Sequence, residues 1–111
     1  MRHISYAETL FATDERVGAL VVEYAAVLAR AGSADTVTVP GRRGEGGVEP
    51  VEILVGPASQ ITTWSDDEPF GVEVGHVVDD LERRIRHATA DSPTSELPVL
   101  PGAIDDFDDL A

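Results

Sequence analysis

Val17, Leu20, Val21, Tyr24 and Leu28 recur at helical spacing, and Gly32 follows as a stop. The pattern predicts a helix from about Asp14 to Ala31. Thr13 is placed to cap its open amides, and Asp14 and Glu15 suit the positive end of the helix dipole. The opposite face is less usual. Gly18, Ala19, Val22, Ala26 and Ala29 lie there, and beyond the acids of the first turn only Arg16, Glu23 and Arg30 carry charge. A surface helix normally turns a polar back to water. One account is that alanine forms helices well and tolerates exposure. The other is close packing against a second helix, which another subunit would be able to supply.

Elsewhere the period is two. Thr36 to Val39 alternates as a half-buried strand, with Pro40 at its end. Val51, Ile53 and Val55 alternate with Glu52 and Leu54 in a second strand. Gly41 to Gly47 is a flexible connection, so the two read as a hairpin. Pro50 makes the second strand begin late or lie on an edge. Arg2 to Tyr6 predicts a short strand, with Ile4 and Tyr6 on one side. Ile61 to Trp64 is a third strand candidate after a turn at Gly56–Ser59. Ser65 to Gly71 reads as a polar loop, and Val72 to Val74 as a brief pairing segment. Val77, Leu81, Ile85 and Ala88 form the narrow stripe of a second helix, about Val77 to Ala88. Its polar back carries Asp79–Arg83, Asp80–Arg84 and Glu82–Arg86 in the favourable order.

These elements predict an α+β fold: a small antiparallel sheet built on a β-hairpin, with one buried and one surface helix. Residues 1–90 read as a single domain and 91–111 as an acidic C-terminal tail. The tail, SPTSELPVLPGAIDDFDDLA from Ser92, has too little apolar surface for a core and enough to dock on a partner. Ile104, Phe107 and Leu110 fall three apart, so a short helix would gather them on one side. Pro98 and Pro101 keep the preceding stretch extended.

Charge sharpens the picture. The net charge is −13 over 111 residues, and 42% of the residues are hydrophobic, as in ordinary globular chains. From Asp91 onward there are six acids and no base; before it, fifteen acids face eight arginines. Such a polyanion repels nucleic-acid phosphates and anionic lipid, and suits a basic protein surface. Acidity also serves solubility alone. Cys, Lys and Asn are absent. Their absence removes thiol chemistry, Schiff bases, a P-loop lysine and N-glycosylation. The apolar stretch Val17 to Ala31 is too short and too charged to span a bilayer. The first residues lack a signal-peptide pattern, so a cytoplasmic location is expected.

No catalytic motif emerges. Gly41 to Gly47, with Arg42 and Arg43, resembles a phosphate cradle in composition, but phosphate loops open helices and this one joins strands. His3, His76 and His87 lack metal-ligand spacing. Ser59 is not in a nucleophile elbow. Asp66, Asp67 and Glu68 do not follow the EF-hand pattern. Trp64 reads as core, or, if exposed, as an interface anchor. The expectation is no catalytic residue, no cofactor and no metal. The chain then reads as a non-enzymatic protein–protein interaction module: a small acidic adaptor, regulator or accessory subunit. Its partner-binding residues would be Gly18, Val22, Ala26 and Ala29 on the first helix and Ile104, Phe107 and Leu110 in the tail. The partner would be a protein with a basic surface, or a twin in a homodimer. Two alternatives stand beside it. One is a ligand-binding domain or enzyme with a pocket between helices and sheet. The other is an acidic nucleic-acid mimic, which would need its acids arrayed over one face.

Overall fold

The computed structural model describes residues 1–58 and 60–90. In chain order they form β1 (Arg2–Tyr6), β2 (Thr9–Thr13), α1 (Glu15–Ala31), β3 (Asp35–Arg42), β4 (Val48–Val55), β5 (Ile61–Ser65) and α2 (Gly75–Ala90). The strands make one antiparallel sheet in the order β4-β3-β2-β1-β5. This is the expected α+β fold. The candidate tail residues Ile104, Phe107 and Leu110 lie outside the described residues, as does Ser59.

Period-two alternation gives the sheet an inner and an outer face. Ile4 stands opposite Phe11 on one side and Thr63 on the other, and Val37 and Val39 stand opposite Ile53 and Val51. The inner residues meet Val17, Leu20, Val21, Tyr24 and Leu28 of α1 and Leu81 of α2 in one core. Leu81 is the only buried residue of α2, whereas α1 buries seven. The division into a buried and a surface helix follows from their two patterns.

Several boundaries differ from the sequence expectation. Thr9–Thr13 is a strand, and Thr13 is not the cap of α1. Thr13 is fully buried at the end of β2, and its hydroxyl donates to the Pro40 carbonyl at 2.7 Å. Asp14 is the cap instead, its carboxylate accepting from the amides of Arg16 and Val17 at 2.8 and 3.1 Å. Pro40 does not end β3, because it stands directly opposite Pro50. Facing pairs in an antiparallel ladder alternate between bonded and non-bonded, and two residues without N–H fit a non-bonded pair. Val72–Val74 forms no strand.

Two contacts fix the geometry at the joins. β2 and β3 touch through a single bridge, Ala12 with Arg42. Beside it, Gly41 leaves room for Phe11 and Val51: a Cβ there would lie 2.9 and 2.7 Å from their side chains. The helices are tied by Arg16 to Glu82 at 2.8 Å. No helix among the described residues is long and apolar enough to cross a membrane.

Candidate functional site

The small-residue face of α1 divides in two. Gly18 is buried under Arg2, whose stem would stand 2.6–3.0 Å from a Cβ at that position. Arg2 is held there by Glu15 at 2.8 Å and by Thr63 at 3.4 Å. Glu15 also accepts from the Ser65 hydroxyl, and the Arg2 and Ser65 bonds lower its pKa. Gly18 therefore packs α1 onto β1. Val22, Ala26 and Ala29 lie on the open part of the face. With Ala25 they form one wall of a groove of about 230 Å³, and Gly56, Pro57 and Ile61 form the other. Ala26 and Ala29 are exposed to solvent. The groove lies between α1 and the start of β5.

β5 closes that end of the sheet, and no described strand pairs with its outer side. Its sequence, ITTWS, contains no charge and no proline. Natural sheets usually guard an exposed edge with charge, proline or a bulge. The opposite edge, β4, carries Glu49, Pro50 and Glu52. Of the two edge strands, only β4 carries charge and proline within its own sequence.

Trp64 points to the outer face and is 46% exposed. Its ring stacks on His3, centroids 5.3 Å apart and planes 5° from parallel. His3 Nε2 lies 2.6 Å from Asp66 Oδ2. That bond, with the Glu68 amide and the terminal ammonium of Met1, lowers the Asp66 pKa to about 2. The Met1 ammonium also donates to the Glu68 carbonyl, while the carboxylates of Asp67 and Glu68 stand in no ion pair among the described residues. Leu10 and Leu54, both about half-exposed, belong to the same outer face.

The glycine-rich connection brings no anion cradle together. Arg43 pairs with Glu49 at 3.0 Å, while Arg42 lies over the Phe70 ring, 5.1 Å from its centroid. Among the described residues no three acids or histidines are placed to hold a metal ion. Between α2 and the β3–β4 hairpin lies an open cavity of about 320 Å³, lined by Val77 of α2 and by Thr38, Val39, Pro40, Val48, Glu49 and Pro50. A depression of about 290 Å³ lies at the end of the sheet, where Tyr6 and Gln60 are the polar side chains beside Ala34, Leu54, Val55 and Pro57. Five arginines, Arg2, Arg16, Arg43, Arg83 and Arg84, hold carboxylates of the domain. The acids are thus interrupted by cations rather than spread over one face.

Compared with known protein families, curated proteins and solved structures, the chain matches none.

Proposed function

We propose that the chain is a non-enzymatic protein-interaction module, a small acidic adaptor, regulator or accessory subunit. One observation carries the reading: an apolar groove on α1 opens beside an edge strand with no charge or proline to guard it. Exposed edges favour pairing with another chain, and the groove offers apolar burial at the same place. The tail residues Ile104, Phe107 and Leu110 form a second docking element in this proposal. A chain without cysteine has no disulfide to lose in a reducing compartment, so a cytoplasmic setting belongs to it as well.

The test is affinity capture from the native cell with the wild-type chain, Ala26→Arg and a distant control, Glu52→Arg. A partner retained by the wild type and the control but lost with Ala26→Arg supports the reading. A catalytic activity that survives Ala26→Arg, with no partner captured, sinks it. Ala26 is exposed, so the substitution leaves the core intact.

A further inference from the structure

We infer that the β5 edge and the α1 groove together dock an extended, basic segment of another protein as a sixth strand of the sheet. This rests on the interaction-module reading and adds the conformation and charge of the partner. The conformation follows from the edge itself. The outward-facing main-chain groups of Ile61–Ser65 repeat with strand spacing, and only another extended chain matches all of them. Side chains then alternate across the added strand. Those facing inward meet Val22, Ala26 and Ile61, and those facing outward meet Trp64. The groove is apolar around Ile61, and Thr62, Thr63 and Trp64 continue the strand without charge, so small β-branched residues fit the middle of the segment.

Charge selects among occupants. Past Asp66, which pairs with His3 and the Met1 ammonium, the carboxylates of Asp67 and Glu68 stand in no ion pair among the described residues, although the same ammonium donates to the Glu68 carbonyl, and Glu8 stands in the turn after β1. A second copy brings the same carboxylates and another net charge of −13. Residues 91–111 bring six acids and no base. Both are repelled at this rim, whereas arginine or lysine flanking the docked strand is attracted.

The experiment uses the full chain and one probe, a blocked heptapeptide of two arginines followed by alternating valine and threonine. Amide hydrogen exchange is read for β5, first without probe over a wide range of protein concentration. The outward-facing β5 amides should exchange fast throughout. The probe should then protect them and perturb Trp64 fluorescence saturably. Replacing the two arginines with glutamates should weaken binding by about tenfold or more, as should Ala26→Arg. N-methylation of alternate probe residues, which removes strand donors, should abolish protection. Protection without probe that is independent of concentration would mean the chain covers its own edge. Protection that grows with concentration would mean a second copy does. Either result overturns the proposal, as does equal binding of the arginine and glutamate probes, or no binding at millimolar concentration. A native partner lost with Ala26→Arg while β5 amides stay unprotected would overturn the strand and leave the interaction module standing.

Discussion

The hydroxyl of Tyr24 on α1 donates a 2.6 Å hydrogen bond to Asp35 Oδ2 at the start of β3. Arg84 of α2 reaches the same oxygen at 2.9 Å and the Thr36 carbonyl at 3.0 Å. One carboxylate thus joins both helices to the sheet, at the end where α1 hands the chain to β3. The Tyr24 hydrogen bond lowers the Asp35 pKa, with further help from the Thr36 amide and Arg84. Burial and the same carboxylate push the Tyr24 pKa up to about 12.

This pair gives the alkaline limb of stability its sign. The raised phenol favours the folded state as long as its proton stays on. The contribution is complete below the ordinary value of 10.0 and is lost as pH climbs to about 12, because the unfolded chain ionises first. Tyr24→Phe should cost about 1 kcal/mol at neutral pH, since Arg84 still satisfies Asp35. It should also flatten the pH 10–12 segment of a denaturant-midpoint profile. An unchanged alkaline segment would assign that limb to other groups.

Gly41→Ala tests the join between the two halves of the sheet. The added methyl would press on Phe11 and Val51, both on the inner face. Overpacking of this kind typically costs about 1–3 kcal/mol. Urea unfolding should show the loss, and Val51→Ala in the same chain should recover part of it by making room. Additive losses in the double variant would show that the methyl does not meet Val51.

At the acid end the informative group is Asp66. Its pKa of about 2 comes first from His3, so His3→Ala should move it up toward the ordinary 3.8. Any stability it contributes is present above that ordinary value and lost as pH falls toward 2. Carboxyl titration followed by NMR reads the site directly. An Asp66 titration that does not respond to His3→Ala would remove the His3–Asp66 contact from the folded state in solution.

The helices and the hairpin were legible because each repeats one period over a long enough run. β2 was not. Thr9–Thr13 carries Leu10, Phe11 and Ala12 in succession, with Phe11 and Ala12 buried and Leu10 turned to solvent. Five residues without alternation give no strand signal. The Thr13 hydroxyl is the right chemistry for a cap, but Asp14 one place later has it too, and the end of β2 claims Thr13. The open part of the α1 face was legible as small and apolar. What covers Gly18 was not, since Arg2 reaches it only after β1 is laid beside the helix. Nor was the edge position of β5, because strand order depends on pairings distant in sequence.

Trp64 carries the final prediction. A buried tryptophan usually costs about 3–5 kcal/mol on truncation to alanine. Trp64 lies outside the core cluster and keeps 46% of its surface in water, so its main loss is the stack on His3. Trp64→Ala should therefore cost under about 1.5 kcal/mol. Binding behaves differently. A rigid aromatic beside an open strand edge matches the residue type that dominates interface energetics, where truncation commonly costs about 2 kcal/mol or more. The same variant should weaken binding of the arginine-bearing heptapeptide by roughly thirtyfold. Trp64→Phe, which keeps a ring over His3, should restore most of the stability and part of the affinity. A stability loss above about 3 kcal/mol with unchanged peptide binding would make Trp64 a structural residue, and the outer side of the docked strand would lose its anchor.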